Sequence, residues 1–539
     1  MSAQQPARDE LMRRLSAAPA LDLVVIGGGA TGLGVALDAA VRGLSVALVE
    51  RDDFAKGTSS RATKLVHGGV RYLAQGNVRL VREALRERAN LLRNAPHLVQ
   101  PLPFVLPLYG ARGRWIEKWF YGSGLLLYDL LAGKAGYGHT QFLGREEAIE
   151  CARGVQGRDL AGAVRYWDAQ FDDARLAVVL ARTAIARGAI VLNHCAAVDL
   201  VHEGDRISGV VAEDRESGQQ HVLRTHCVVN AAGVWVDAIR RMDRAAGREL
   251  VAPSQGVHLV VGREFLPGDH ALLVPRTRDG RVLFAVPWLG STILGTTDTA
   301  RPDLAAEPEP FGEEIDFILG EAARILAKAP TREDVRSAWV GLRPLVRPPD
   351  VAPGDTKSLS REHVVLVERS GLATVTGGKW TTYRAMAEDV LARCMARGLL
   401  PTRPAGATVS LSLVGAPAGA KHPISAPPGL HLYGTEAPLV QRLPGAEREL
   451  TPGLSEAMVR FAARYEYART VEDVLARRSR LLFLDAQLAA SLAGRVAAIL
   501  DEELGGAFNA DVSVRSFAEL AARYGRLPHA ARISDRSAS

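Results

Sequence analysis

Apolar residues fall into two spacings along this chain, short unbroken blocks and longer helical stripes. Asp22-Leu-Val-Val-Ile26 is a β-branched block followed directly by Gly27, Gly28 and Gly29, which predicts a buried parallel strand ending in a tight turn. A helix is expected from about residue 30 to 42, closed by Gly43, and Ser45-Val-Ala-Leu-Val49 repeats the strand pattern to complete a βαβ unit. Between Val78 and Asn94 charges of both signs (Arg79, Arg82, Glu83, Arg86, Glu87, Arg88) are interleaved with Leu80, Leu85, Leu91 and Leu92, the pattern of a solvated amphipathic helix. From about 141 to 373 strands and helices mix, with strands expected at 189–192, 222–230, 257–261, 283–286 and 363–366 and an antiparallel run over 201–218. A helix is expected over 382–397.

The C-terminal part has another texture. Six prolines between 401 and 428 predict an exposed connection. Beyond it, Thr470-Val-Glu-Asp473 has capping-box spacing, with Asp in place of Glu, and opens a helical segment to about 484. Further helices are expected over 487–504, ending at Gly505-Gly506, and over 514–524. The expected organisation is an α/β region over 1–400 built of discontinuous subdomains, a connection over 401–428, an all-helical cap over 429–525 and a tail over 526–539. Its fold class is a Rossmann-like domain interwoven with a mixed-sheet substrate domain, plus the cap.

Composition narrows the chemistry. With 539 residues, 47% hydrophobic and 23% charged, the chain is globular and long enough for two to three domains. Lys and Arg total 66 against 60 Asp and Glu, an excess that permits an acidic substrate or an anionic surface and does not suggest nucleic acid. The four cysteines, Cys151, Cys195, Cys227 and Cys394, form no Cys-x-x-Cys pair, which argues against a zinc or dithiol site and for a reducing compartment; no metal is expected. The first twenty residues lack the apolar core of a secretory signal. The least charged run, residues 23–37, is 15 residues long with five glycines, too short for a spanning helix.

Gly27-x-Gly29-x-x-Gly32 lies between strand and helix, with Ala36 as a small packing residue and Glu50 ending the second strand, so each contextual requirement of a dinucleotide fingerprint is met. The glycines admit a pyrophosphate at a helix N-terminus, and Glu50 accepts from the ribose hydroxyls while repelling a 2′-phosphate. This does not separate FAD from NAD. The stretch from Gly57 to Tyr72 does: Thr58, Ser59, Ser60 and Lys64 suit phosphate and ribityl groups, and Gly68-Gly69 leaves room for a flat ring.

With these residues the chain resembles the FAD-dependent glycerol-3-phosphate dehydrogenases of the aerobic, respiratory type. The flavin segment reads Thr58-Ser-Ser60 and Lys64-Leu-Val-His-Gly-Gly-Val-Arg-Tyr72. The likeness continues through Asn230-Ala-Ala-Gly233, Gly256-Val-His258, Gly295-Thr-Thr-Asp298, Gly341-Leu-Arg-Pro-Leu345, Ser360-Arg361, Gly377-Gly-Lys-Trp-Thr-Thr-Tyr-Arg384 and Thr470-Val-Glu-Asp-Val-Leu-Ala-Arg-Arg478, from about residue 20 to 525. Glu362 stands where the family pattern usually has Asp. The resemblance implies FAD bound by the fingerprint, Thr58, Ser59, Ser60, Lys64, His67, Gly68, Gly233, Gly377, Gly378, Lys379 and Thr381. Near Thr381 a helix N-terminus favours negative charge on the reduced flavin. A Walker loop at Lys379 is rejected, because Ala373 replaces its first glycine and Trp380 follows the lysine.

A phosphate dianion needs several fixed cations, and arginine forks suit it best. The resemblance supplies Arg71, Arg343, Arg361 and Lys379, with Tyr72 shaping the pocket. The implied reaction is oxidation of sn-glycerol 3-phosphate to dihydroxyacetone phosphate, with hydride passing from C2 to flavin N5. His258 is the first choice as base for the hydroxyl proton, with His67 a competitor that more naturally contacts FAD and Arg343 steadying the developing alkoxide.

Family members commonly pass the electrons to a membrane quinone, whereas related oxidases use oxygen and typically carry an inserted segment, which is not seen here. The run Trp115 to Tyr128, with Arg112, Arg114 and Lys118 nearby, suits either a bilayer interface or burial under the cap. The resulting expectation is a cytoplasmic protein, peripheral on the inner face of the membrane, with a homodimer left open. The alternatives are a glycerol-3-phosphate oxidase using oxygen and an amino-acid or amine oxidoreductase of the same fold, the latter needing only one arginine for a carboxylate.

Overall fold

Six short strands make the first sheet, in the order Val364–Val367, Leu372–Thr376, Val228–Asn230, Leu23–Ile26, Val46–Val49, Ile190–Leu192. Neighbours run parallel except the first pair. The computed structural model describes residues 5–530 apart from 70–72, 74–76, 111–117, 134–135, 245–247, 279, 348–361 and 421. Leu23–Ile26 and Val46–Val49 are buried at every position, as unbroken apolar strands in a parallel sheet should be. Ile26 pairs with both Val49 and Asn230, which aligns the loops opening at Gly27, Glu50 and Ala231 along the carboxyl ends of three adjacent strands. In open α/β sheets this edge is where ligands bind. The helices Ala30–Val41 and Tyr383–Ala396 pack closely at Gly34, where a β-carbon would stand 2.8 Å from the Tyr383 ring.

A ten-stranded mixed sheet carries the substrate region. Its main path runs from Thr299–Ala300 through Val251–Gly262, Ser291–Gly295, Leu283–Trp288, Ala271–Val274, Val99–Tyr109 and Leu160–Phe171 to Leu65–Val66, with Ser337–Val346 added on Val251–Gly262 and Gln141–Leu143 on Leu160–Phe171. A separate three-stranded meander comprises Cys195–Glu203, Arg206–Asp214 and Gln220–Arg224. The single strand expected over 222–230 is therefore two. Thr225 breaks it, its hydroxyl accepting from Cys227 N at 3.2 Å, so that Gln220–Arg224 joins the meander and Val228–Asn230 the first sheet.

One reading of exposure needs correction and another needs completing. The helix Val78–Asn94 is not simply a solvated face: Glu87 and Arg88 are 3% and 1% exposed, Glu87 gripping Arg384 at 2.7 and 2.8 Å and Arg88 meeting Asp168 at 2.7 Å. Alternating charge records ion pairing without saying whether the pairs face water. Residues 401–428 contain no helix or strand among those described and are exposed at more than half of those positions, as expected of a connection, yet they are also pinned to the body. Asn94 donates to Thr408 O and accepts from Leu413 N through its own carbonyl, Gln100 donates to His422 O, and Leu413 and Ile424 are buried.

The C-terminal region holds the helices Glu456–Tyr465, Leu481–Leu484, Ala486–Leu504 and Ala510–Gly525, and also a two-stranded ribbon, Glu449–Thr451 with Leu454–Ser455, so it is not wholly helical. The segment opening at Thr470 forms a π-helical turn, Asp473–Arg478, and Arg480 then adopts φ +65° before Leu481–Leu484. This turn docks onto the first domain through buried charges. Arg477 and Arg478 both donate to Asp53, Asn193 donates to Asp53 at 2.8 Å, and Lys56 meets Glu472 at 3.0 Å. His194 contacts Asp473 at 2.9 Å, and Arg175 contacts Glu466 at 2.7 Å. Asp53, His194 and Asp473 bring three ligand-type atoms together, but guanidinium groups already neutralise both carboxylates.

Candidate active site

At the carboxyl edge of the first sheet, lost side chains define a cradle. Gly27 has φ +111°, and a β-carbon there would stand 2.6 Å from Ala231 O. On Gly32 a β-carbon would stand 1.9 Å from Gly27 O, so helix and strand meet backbone to backbone. Glu50, ending the second strand, accepts from Gly28 N at 2.6 Å and Asp52 N at 2.9 Å. Burial raises its pKa against the pull of these two amides. A carboxylate fixed at this strand end, beside a glycine turn and a helix N-terminus, matches the ribose and pyrophosphate of a dinucleotide.

The segment after it folds over the cradle. Ser59 Oγ accepts from Ala30 N at 3.0 Å, capping the helix that the fingerprint opens. The turn Thr58–Ser60 is held from two further sides, by Thr58 Oγ1 donating to Leu342 O and by Trp380 Nε1 donating to Ser59 O at 2.8 Å. Thr381 Oγ1 accepts from His67 N at 3.3 Å, and Gly68 N donates to Tyr128 OH at 2.8 Å and to Asp168 at 3.3 Å. Gly377 and Gly378 have φ +77° and +75° just before the turn Trp380–Thr382, so a helix does begin beside the proposed ring site. Gly233 has φ +62° and its carbonyl accepts from Thr376 Oγ1 at 3.4 Å. The fingerprint glycines, Glu50, Thr58, Ser59, Ser60, His67, Gly68, Gly233, Gly377, Gly378, Lys379 and Thr381 therefore converge on one region of the molecule.

Lys64 departs from its expected role. Its side chain is fully buried, with Nζ donating to Asp173 Oδ2 and to Ser60 O, each at 2.7 Å. It lies within 5.2 to 5.3 Å of the Trp288, Trp339 and Phe483 ring centres, and burial pulls its pKa down to about 7. Its ammonium supports the segment from behind and is not presented to a phosphate. Position in a serine- and glycine-rich loop suggested a ligand; the partner Asp173 lies 109 residues away and was not legible locally.

His258 and Arg343 share one sheet face. His258 lies on Val251–Gly262, where Ser254 pairs with Arg343 and His258 with Trp339. The imidazole is 2% exposed, stacks on the Trp339 ring at 5.3 Å and 17°, and has Nε2 2.9 Å from Thr63 Oγ1, while Nδ1 is buried without a hydrogen-bond partner among the described residues. Burial, then Lys64 and Arg343, drive its pKa well below the usual histidine value. The Arg343 guanidinium is braced by Gln255 O at 3.2 Å, Thr297 O at 3.0 Å and Thr296 Oγ1 at 3.2 Å, with Asp298 at 3.5 Å. It remains a quarter exposed.

Arg71, Tyr72 and Arg361 lie outside the described residues. Sequence reasoning missed Thr63, Trp339, Asp173 and Arg480, all of which shape the surroundings of His258 or Lys64. Arg480 followed a quoted motif by two residues, but no spacing rule links it to the flavin-type segment.

Comparison with known proteins fits this geometry. Residues 22–384 match a family model described as FAD dependent oxidoreductase, and residues 426–511 one described as the C-terminal domain of alpha-glycerophosphate oxidase. A mitochondrial glycerol-3-phosphate dehydrogenase of Arabidopsis thaliana is 41% identical over 549 residues, covering 93% of this chain and 86% of its own. The mitochondrial glycerol-3-phosphate dehydrogenase of Mus musculus is 40% identical over 538 residues, covering 93% and 73%. Among solved structures, a glycerol-3-phosphate dehydrogenase from Bacillus halodurans complexed with FAD superposes with a TM-score of 0.76 at 30% identity, covering 97% of this chain and 99% of that one.

Proposed function

This chain belongs to the FAD-dependent glycerol-3-phosphate dehydrogenases, and from that membership we propose that it oxidises sn-glycerol 3-phosphate to dihydroxyacetone phosphate and passes the electrons to a quinone at a membrane surface. The residues present fit the cofactor: the glycine cradle excludes side chains where a pyrophosphate must approach, and Glu50, the Thr58–Ser60 turn, the backbone around Gly68 and Gly377 to Thr381 would hold it. Bound FAD supplies a two-electron acceptor for the hydride leaving C2.

The observation that carries the reaction is that His258 and Arg343 lie on one face of one sheet, with His258 touching Thr63 in the segment that follows the cradle. Arg343, with Lys379 and the sequence candidates Arg71 and Arg361, gives the phosphate dianion the multiple cations it requires. Burial, then Lys64 and Arg343, favour the neutral imidazole, the form that a base for the C2 hydroxyl proton requires. Thr63 on Nε2 and Trp339 on the ring face hold the imidazole in place, leaving Nδ1 as the nitrogen without a protein partner among the described residues. An incoming dianion offsets Lys64 and Arg343, which strengthens the base when substrate is present.

A surface helix supports the membrane-side reading. Lys118–Ala132 turns Leu125 and Tyr128 inward and leaves Trp119, Leu126, Leu127 and Leu130 exposed by 67%, 49%, 44% and 77%. Among the described residues no helix is long and apolar enough to cross a membrane. An apolar face of this kind lies in a bilayer interface, and Arg112, Arg114 and Lys118 precede it or begin it, a charge suited to anionic lipid.

Anaerobic mixing tests the function. Glycerol 3-phosphate should bleach the bound flavin while glycine and sarcosine do not, and a quinone should reoxidise it faster than oxygen. Bleaching by an amine instead would replace the proposed substrate, and preferential reoxidation by oxygen would make the protein an oxidase.

A further inference from the structure

Three fully buried polar side chains meet behind His258, each from a different part of the chain. Lys64 Nζ donates to Asp173 Oδ2 and Ser60 O, and Arg480 Nη2 donates to the same Ser60 carbonyl at 2.8 Å and to Asp173 Oδ1 at 3.1 Å. Asp173 also accepts from Ala62 N at 3.2 Å, and Arg480 Nε lies 3.5 Å from Asp172. The Arg480 guanidinium rests 4.1 Å over the Phe483 ring, and Phe483 meets Trp339 edge-on at 5.1 Å. Trp339 is the ring stacked on His258, and Thr63, which touches His258 Nε2, is the residue before Lys64.

Such a cluster is an expensive way to fill a core, since apolar residues of the same volume often stabilise as well as a buried ion pair does. Lys64 and Arg480 also both sit at positive φ, +64° and +65°, a conformation that non-glycine residues adopt at a cost. Two cations converging on one carbonyl fix the turn that presents Thr63. We propose that Arg480 is a positioning residue supplied to the reaction centre by the C-terminal domain: acting through Lys64, the Ser60 carbonyl and the Trp339 ring, it fixes Thr63 and His258 and balances the charge behind the imidazole. This rests on the reading of His258 as the base.

The charges around the imidazole set the sign of the effect. Lys64 and Arg343 face it, Arg343 carries Asp298 at 3.5 Å, and Asp173, Asp172 and Arg480 stand behind Lys64. Without Arg480, Asp173 neutralises Lys64 more completely, the imidazolium is repelled less, and the acid limb of flavin reduction moves to higher pH.

The test is anaerobic stopped-flow reduction of the holoenzyme by sn-glycerol 3-phosphate across pH, with FAD content and thermal stability measured in parallel. Arg480→Met should reduce its flavin about tenfold or more slowly at saturating substrate, with its acid limb at higher pH and substrate affinity changed much less. Arg480→Lys, which keeps the charge but cannot span the same acceptors, should restore the limb and recover only part of the rate. A wild-type rate and limb in Arg480→Met overturn the proposal, as does lowered stability alone with both kinetic readouts unmoved. If Arg480→Met does not accumulate as holoenzyme, Arg480→Lys decides, a wild-type rate overturning the proposal and a slowed rate with an unmoved limb supporting it. His258→Asn is run alongside. If it keeps the wild-type rate and limb, the base assignment fails and takes the proposal with it; if it is crippled while Arg480→Met is unaltered, the proposal alone fails.

Discussion

Gly256 and Arg343 compete for one volume: an ideal β-carbon on Gly256 would stand 2.3 Å from Arg343 Nη2 and 2.6 Å from Thr296 Oγ1. The guanidinium lies where that side chain would be, across the strand pair on which Ser254 faces Arg343. Gly256→Ala should therefore displace Arg343 without touching the dinucleotide cradle. The expected outcome is intact FAD content with the KM for glycerol 3-phosphate raised about ten- to a hundredfold, the scale of about 1.5–3 kcal/mol for a hydrogen bond to a charged group. Steady-state kinetics beside the flavin absorbance ratio checks it; a lowered flavin ratio with unchanged KM would contradict the placement.

Gly32 makes the converse prediction. A β-carbon there would stand 1.9 Å from Gly27 O, and neither backbone can yield without opening the turn proposed to hold the pyrophosphate. Gly32→Ala should yield protein with little or no FAD, measured by absorbance of the purified chain. Gly320 is the control, since it lies in the helix Gly312–Ile325 with open space where its side chain would be. Gly320→Ala should keep FAD and gain up to about 1 kcal/mol of stability.

These contrasts mark what could be read in advance. The fingerprint and its strand–turn–helix setting were legible because their physics is local: a short apolar strand, a glycine turn, a helix N-terminus and an acid one strand later. His258 and Arg343 were named only through family resemblance and remain proposals, while their shared sheet face came from the pairing of Val251–Gly262 with Ser337–Val346. Lys64 was misassigned because its partners Asp173 and Arg480 lie far along the chain, and the burial of Glu87 and Arg88 was hidden by a charge pattern that surface helices share. The pinned course of residues 401–428 was likewise invisible, because the side chains that hold it, among them Asn94 and Gln100, belong to earlier elements.

Asp53 anchors the C-terminal domain and should be costly to neutralise. It is fully buried and accepts from Asn193, Arg477 and Arg478, so Asp53→Asn leaves two guanidinium groups with one counter-charge fewer in a dry interface. A loss of about 3–5 kcal/mol is expected for breaking such a cluster. Chemical denaturation of the holoenzyme should show it, with flavin release tracking unfolding because Glu50 lies only three residues before Asp53.

The same interface predicts a pH dependence with a definite sign. Burial lowers the His194 pKa, but Asp473, at 2.9 Å, outweighs it and the net shift is upward from 6.5. A group whose folded pKa is raised contributes its stability in full below the unfolded value and loses it as pH rises through the folded one. The melting temperature should therefore fall as pH climbs above 6.5, and His194→Gln should flatten that part of the curve. A wild-type slope in His194→Gln would assign the effect elsewhere.

The helix Lys118–Ala132 allows the proposed substrate chemistry to be tested apart from the proposed delivery of electrons to a membrane quinone. Its inward residue Tyr128 accepts from Gly68 N at 2.8 Å, whereas Leu126 and Leu130 project into solvent and make no contribution to that contact. Replacing both with Glu removes apolar area from the proposed bilayer face and adds two charges that anionic lipid repels. Full burial of a leucine side chain contributes about 1.5–3 kcal/mol, so even partial immersion of two predicts a loss of at least about tenfold in vesicle partitioning. Co-sedimentation with vesicles containing anionic lipid measures this directly. Anaerobic flavin reduction by glycerol 3-phosphate should be unchanged in the Leu126→Glu, Leu130→Glu protein, while reoxidation by a long-chain quinone held in the vesicles should slow in step with the lost binding. Reoxidation by a water-soluble quinone should stay at the wild-type rate. If vesicle binding is unaltered, the bilayer face lies elsewhere; if sedimentation instead shows a dimer broken into monomers, the exposed leucines belong to an interface between two copies of the chain.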